Sequence, residues 1–219
     1  MGPKIAPSIL SADFLHLEKD IEMLNANADM IHIDVMDGSL VPNISFGFSI
    51  IEPISPIAKI PMDAHLMVVH PERWFERLAG LGINMCSFHL EAARKARLDA
   101  SDLLRKIRSL GMKAGLAINP DIPVKSVYKY IKDADFILVM SVFAGFGGQK
   151  FIYETYDRVA ALKEEIKRQG SDCQVQIDGG ASPANAKNLY EAGVDIIVAG
   201  SAVFKSENPG ATIDAMRSF

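Results

Sequence analysis

The stretch Met30-Ile31-His32-Ile33-Asp34-Val35-Met36-Asp37-Gly38 carries the pattern on which the fold turns. Extended backbone puts alternate side chains on opposite faces, so Ile31 and Ile33 share one face while His32 and Asp34 share the other. Seven further short apolar runs repeat this kind of segment: Lys4 to Ile9, Met62 to Leu66, Met85 to His89, Lys113 to Ile118, Phe136 to Met140, Gln174 to Asp178 and Ile196 to Ala199. Each is too short for a stable helix, and with Met30 to Asp34 they make eight strand candidates. Helical spacing fills the intervals, in Phe14, Leu17, Ile21 and Leu24, in Trp74, Phe75, Leu78 and Leu81, in Leu103, Leu104, Ile107 and Leu110, and in Val159, Leu162 and Ile166. Ser182-Pro183 reads as a cap followed by a first-turn proline, and Pro71 opens a helix in the same way. Gly80, Gly111 and Gly193 fall where a left-handed residue closes a helix. Strands alternating with helices pair in parallel through right-handed crossovers, and eight repeats predict one closed (β/α)₈ barrel over residues 1–219.

Composition agrees with a folded domain. Of the 219 residues, 49% are hydrophobic and 23% charged, with a mean hydropathy of +0.13, which excludes a disordered chain. The net charge of −4 gives no nucleic-acid footprint, and the basic run at Arg94, Lys95 and Arg97 with Arg105, Lys106 and Arg108 reads as the solvated face of helices. No run is long enough to span a membrane, no signal peptide is expected, and Ala6 stands where a myristoylation signal needs Ser or Thr. Cys86 and Cys173 sit in apolar runs without paired spacing, so reduced, buried thiols and a cytoplasmic setting are expected.

Barrels of this kind carry their chemistry at the C-terminal ends of the strands. There the inward face offers His32 and Asp34 on the second strand, His65 on the third and Asp178 on the seventh. Buried charges need a partner, and two histidines with two carboxylates suit one divalent first-row metal such as Zn, Fe(II), Mn or Co. Glycines cluster after the last three strands, at Gly145-Phe146-Gly147-Gly148, Gly179-Gly180 and Gly200-Ser201, where bare backbone N–H groups bind phosphate. A phosphorylated substrate beside a metal and two carboxylates points to proton abstraction next to a carbonyl. One aspartate removes the proton from a metal-stabilised enediolate precursor and the other returns one from the far side, inverting the carbon.

Taken together, Ile5-Ala6-Pro7-Ser8-Ile9-Leu10, His32-Ile33-Asp34-Val35-Met36-Asp37-Gly38, Val41-Pro42-Asn43, His65-Leu66-Met67, Gly145-Phe146-Gly147-Gly148-Gln149 and Asp178-Gly179-Gly180 resemble the ribulose-phosphate 3-epimerase family from Lys4 to about Phe204. The resemblance implies a TIM barrel of the ribulose-phosphate-binding type, with a metal held by His32, Asp34, His65 and Asp178 and both aspartates as the acid–base pair. It implies that Ser8 and His65 contact the substrate, that Gly145, Phe146, Gly147, Gly148, Gly179, Gly180, Gly200 and Ser201 hold its phosphate end, and that Met36, Met67 and Met140 line the space beside the reacting carbon. Read from the residues alone, those methionines are ordinary core filler. The implied reaction interconverts D-ribulose 5-phosphate and D-xylulose 5-phosphate in the pentose phosphate pathway, and family habit implies a homo-oligomer.

Two departures stand in the loops. The family pattern has Asn-Pro where this chain has Phe143-Ala144, and a large residue where it has Ser39. A smaller Ser39 makes room for a sugar one carbon longer, so D-allulose 6-phosphate 3-epimerisation to D-fructose 6-phosphate is the alternative. A neighbouring decarboxylase group uses Asp-x-Lys on the second strand, but Asp34-Val35-Met36 lacks that lysine, and Lys113 sits at the wrong rim for a Schiff-base aldolase. A non-catalytic phosphosugar-binding barrel explains the glycines but not the inward carboxylates. His89 and Glu91 close the fourth strand as partners of a ligand or as a structural pair. Asp195 is expected at the opposite rim, and Trp74 in helix-to-barrel packing.

Overall fold

A computed structural model describes residues 2–219. Eight parallel strands form one sheet: β1 (Lys4–Pro7), β2 (Ile31–Met36), β3 (Met62–Met67), β4 (Met85–His89), β5 (Lys113–Ile118), β6 (Phe136–Met140), β7 (Gln174–Asp178) and β8 (Ile196–Ala199). From β2 to β8 each strand pairs with its sequence neighbour, and β1 pairs with β8, so the sheet curls almost fully round. The last seam, between β1 and β2, is closed by a single bridge from Ser8 to His32.

Helices cover the outside: α1 (Leu17–Asn27), α2 (Phe48–Ile54), α3 (Phe75–Gly80), α4 (Leu90–Ala96), α5 (Ala100–Ser109), α6 (Thr155–Gln169), α7 (Ala186–Ala192), α8 (Ser201–Phe204) and α9 (Pro209–Arg217). Local chemistry sets their ends. Asp99 caps α5 by accepting from the N–H groups of Ser101 and Asp102, and Leu103, Leu104 and Ile107 form its buried stripe. The outward strand residues Ile31, Ile33, Ala64, Leu66, Ile177 and Ile197 join these stripes in the main core. Inside the barrel, Ala6, Met30, Met85, Phe136, Ile196 and Val198 make a separate apolar plug at the N-terminal end. The polar residues lie above it.

Some boundaries differ from the sequence reading. The first strand stops at Pro7 rather than Ile9, because Ser8, still extended and bridged to His32, caps a 3-10 turn over Ile9–Ser11, its Oγ accepting from Leu10 N–H at 3.2 Å. Phe14, Trp74, Leu81 and Leu110 stand just outside the helices whose spacing they share, although Trp74 does pack on the core. Gly80 is the last residue of α3, and the left-handed turn falls on Gly82 (φ 74°), while Gly111 and Gly193 do take positive φ. Ser182 does not cap α7. The helix begins three residues later than a Pro183 start requires, at Ala186, with Asn185 at the cap position, its side chain reaching back to accept from Ser182 N–H.

Candidate active site

Strand alternation delivers the polar cluster. On β2, β3 and β7 every second side chain points inward, which brings His32, Asp34, Asp63, His65, Gln176 and Asp178 into the barrel. Asp34 is the hub. Its Oδ2 accepts from Ser8 Oγ at 2.5 Å, and its Oδ1 lies 3.2 Å from His65 Nδ1 and 3.4 Å from His32 Nε2. Asp178 Oδ2 is 3.8 Å from the same His65 nitrogen. One donor atom from each of His32, Asp34, His65 and Asp178 lies within 4.8 Å of all the others.

The hydrogen bonds fix how His32 presents itself. Its Nδ1 contacts Asp63 Oδ2 at 2.8 Å, and a carboxylate only accepts, so Nδ1 carries a proton and Nε2 is the nitrogen that faces the cluster. Asp63 is held in turn by Gln176 Nε2, which donates to it at 2.6 Å. His32 Nε2 is buried and makes no hydrogen bond, an orphan aimed at the other three donors. The cluster therefore fits a divalent cation: one imidazole nitrogen from each histidine and one carboxylate oxygen from each aspartate converge where a cation can replace a proton.

The electrostatics follow from the same contacts. Burial opposes a charged His32, yet Asp34 and Asp63 outweigh it and hold the ring well above the ordinary imidazole range. Burial also works to raise Asp34, but His32 and His65 overcome it and hold the carboxyl far below its usual range. Asp178 goes the other way, pushed up to about 7 by burial and by the charge of Asp34. Burial takes His65 down to about 4, with its Asp34 hydrogen bond pulling against it.

Above this cluster opens a cavity of about 550 Å³, counting its mouth. Ser8, Asp34, Asp178, Met36, Met67 and Met140 form the floor and lower wall, and Gly145 to Gln149, Gly179, Gly180, Gly200 and Ser201 form the rim. His32 and His65 are fully buried beneath the floor. Every other expected site residue lines this one space. Gly179 (φ 121°) is required by close approach, since a Cβ there would stand 2.4 Å from Val142. The glycine loop is tied down by Asn43 Nδ2, which donates to Gly145 O at 2.7 Å, and by Gln149 Nε2, which donates to the carbonyls of Phe143 and Phe146.

The cavity is also lined by residues to which the sequence gave no site role: Leu10, Ser11, Val142, Gln149, Ala181 and Val198. Ser11 faces Gly200, where an added Cβ would meet its Oγ at 2.7 Å, and nothing in its local pattern signals this, because it lies in the turn after β1. Asp63 and Gln176 were legible, as each sits two residues before an expected site residue on the same strand face. Phe143 and Ala144 line the cavity, whereas Ser39 stands outside its wall, bonded to Asp37 and Val69 N–H, with Lys95 on its carbonyl.

Elsewhere, Lys113 is exposed at the start of β5, and Asp195 accepts from Lys4 N–H and Lys163 at the opposite rim. Arg105, Lys106 and Arg108 pair with Asp102, Glu76 and Asp135 on the surface. Cys86 and Cys173 are free and buried. Among the described residues no helix is long and apolar enough to cross a membrane.

Comparison with known proteins adds the lineage. The sequence profile of the ribulose-phosphate 3 epimerase family matches residues 4–204. A ribulose-phosphate 3-epimerase of Synechocystis sp. is 43% identical over 98% of this chain and 93% of its own. One from Mycobacterium bovis is 40% identical over 99% of this chain and 92% of its own. The crystal structure of orotidine 5'-phosphate decarboxylase from Pyrococcus horikoshii OT3 superimposes with a TM-score of 0.66 over 97% of this chain and 96% of that one, at 15% identity, a likeness of fold alone. With a matched profile over most of its length and relatives at 40% identity or more, the chain belongs to the ribulose-phosphate 3 epimerase family and is an enzyme of the isomerase class.

Proposed function

We propose that this chain, acting as one domain, interconverts D-ribulose 5-phosphate and D-xylulose 5-phosphate by moving the proton at carbon 3, with Asp34 and Asp178 as the two proton carriers. The observation that carries the reading is that these two carboxylates, from β2 and β7, converge within 4.8 Å on the floor of a single cavity rimmed by glycine loops. The names of the relatives at about 40% identity supply the sugar.

One carboxylate takes the proton from carbon 3. The electron pair of that C–H bond becomes a double bond to carbon 2, and the carbonyl π pair moves onto oxygen, giving an enediolate. The second carboxyl group, protonated at the outset as a carboxylic acid, then delivers its proton to the opposite face of carbon 3 and is left as the carboxylate, and the carbonyl re-forms with the configuration inverted. His32 Nε2, His65 Nδ1, Asp34 and Asp178 would hold a divalent ion, Zn, Fe(II), Mn or Co by its donor set, which supplies Lewis-acid charge for the developing negative oxygen. Ser8 fixes the orientation of Asp34. The N–H groups of Gly145 to Gly148, Gly179, Gly180, Gly200 and Ser201 would take the phosphate. Met36, Met67 and Met140 keep the reacting carbon's surroundings apolar and exclude water.

No observation favours the six-carbon alternative, since Ser39 lies outside the cavity. A silent phosphosugar binder leaves the converging carboxylates without a purpose. The buried free thiols suit a reducing, cytoplasmic setting, and a homo-oligomer belongs to the same reading on family resemblance alone. The test is turnover of ribulose 5-phosphate by Asp34→Asn and Asp178→Asn. Epimerisation falls by about 10²–10⁴-fold in each; near-normal turnover in either variant sinks the two-carboxylate scheme.

A further inference from the structure

Below the cavity, the ring of His65 is held on its far side by a second histidine. His65 Nε2 lies 2.9 Å from His89 Nε2, and the two rings stack with centroids 5.0 Å apart. Two ring nitrogens at hydrogen-bond distance share one proton, and neutral rings allow two arrangements. In the first, His65 carries its proton on Nε2 and donates it to His89, whose own proton is then on Nδ1. In the second, His89 donates from Nε2, and the proton of His65 moves to Nδ1, the atom that faces Asp34 and Asp178. Only the first leaves His65 Nδ1 bare.

Asp34 Oδ1, 3.2 Å from His65 Nδ1, favours the second arrangement, and a carboxylate one step further out favours the first. His89 Nδ1 is 3.5 Å from Glu91 Oε1 and makes no hydrogen bond in the structure. Glu91 opens the first turn of α4, directly after β4, and its Oε1 is held by Asn119 N–H at 3.0 Å. A carboxylate only accepts hydrogen bonds, so a proton on His89 Nδ1 is favoured and a lone pair there is repelled. We infer that Glu91 is a positioning residue for His65: acting through His89, it favours, against the pull of Asp34, the tautomer that leaves His65 Nδ1 free as a ligand atom. This rests on the reading of His65 as a metal ligand.

The same contacts reach the other end of the cavity. Asn119, whose N–H holds Glu91, accepts from Ala144 N–H through its Oδ1 at 2.9 Å, at the root of the Gly145 loop. Its carbonyl accepts from Arg158 at 2.9 Å, and Arg158 also donates to Met140 O. One short chain of bonds thus joins the floor of the cavity to its rim.

The test compares the full-length protein with Glu91→Met, which keeps the side chain's bulk and removes the acceptor, and with Glu91→Gln, which keeps an acceptor oxygen without the charge. Nitrogen-15 spectra of the histidine rings in metal-free protein report the tautomers, and chelator competition reports Zn²⁺ affinity. In the unsubstituted protein both tautomers of His65 are populated, since Asp34 draws the proton to Nδ1 and Glu91, through His89, draws it to Nε2. Glu91→Met moves the proton and weakens Zn²⁺ binding by about 10–100-fold, with Glu91→Gln between the two. Should Glu91→Met fail to fold, Glu91→Gln carries the comparison through the same two readouts. Unchanged tautomers and Zn²⁺ affinity within about twofold in the folded variants overturn the inference. If the unsubstituted protein takes up no Zn²⁺, the metal reading fails, and the tautomer spectra alone still judge the role of Glu91.

Discussion

Ser8 Oγ donates to Asp34 Oδ2 at 2.5 Å across the seam where the barrel closes. The same serine bridges to His32 by its backbone, so one residue both completes the cylinder between β1 and β2 and orients the carboxylate at the centre of the site. Closure of the fold and alignment of the proton carrier are a single local event.

Ser8→Ala removes the donor and leaves that carboxylate oxygen without its partner. A hydrogen bond to a charged group contributes about 1.5–3 kcal/mol, so kcat/KM falls by about 10–100-fold. Steady-state kinetics check this, and a drop below about threefold means that Asp34 is oriented by its histidine neighbours alone.

Asp63→Asn acts through His32. Asp63 is fully buried and holds the proton of His32 on Nδ1, leaving Nε2 for the cluster. Neutralising it lowers divalent-metal affinity by about 10–100-fold, measured by chelator competition. Inhibition by inorganic phosphate stays unchanged, because the glycine rim is not involved. Equal metal affinity in the variant contradicts the orienting role.

Gly115→Ala tests the plug. Gly115 on β5 pairs with Phe136 on β6, and an added Cβ would stand 2.2 Å from the Phe136 ring. Overpacking of this kind costs about 1–3 kcal/mol, which lowers the melting midpoint by roughly 2–12 °C for a chain of this size. Adding Phe136→Leu to the same chain recovers most of the loss. A midpoint unchanged in the single variant means that the ring relaxes freely.

The thiols are expected to be inert in the native protein. Burial pushes Cys173 up to about 12 and Cys86 higher still, so at pH 8 both remain protonated, and protonated thiols are poor nucleophiles. Ellman's reagent therefore reacts with neither until the protein is denatured, and then with both. Rapid reaction of the native protein contradicts their burial.

Much of this architecture was legible because strand alternation is a strict rule. Once His32 and Asp34 share a face, the inward direction on β2 is fixed, and the same rule places His65 and Asp178. What alternation does not carry is the identity of the neighbour across the barrel. Asp63 and Gln176 were on the correct face, yet their meeting depends on strands 113 positions apart along the chain. Ser11 reaches the rim only because the chain turns over Ile9–Ser11 under the cap of Ser8, where the sequence reading carried the strand on to Ile9. Helix ends were legible where one side chain decides them, as at Gly193, and misread at Ser182, where Asn185 takes the cap position and bonds back to the serine's N–H.

The most direct test of the whole account is kcat/KM for D-ribulose 5-phosphate beside D-allulose 6-phosphate, on protein reconstituted in turn with Zn²⁺, Fe²⁺, Mn²⁺ and Co²⁺. The account predicts metal-dependent inversion at carbon 3 with the five-carbon sugar preferred by about tenfold or more, equivalent to about 1.4 kcal/mol in transition-state binding. Preference for the six-carbon sugar contradicts the proposed substrate, and turnover of neither sugar with any of the metals contradicts the proposed chemistry.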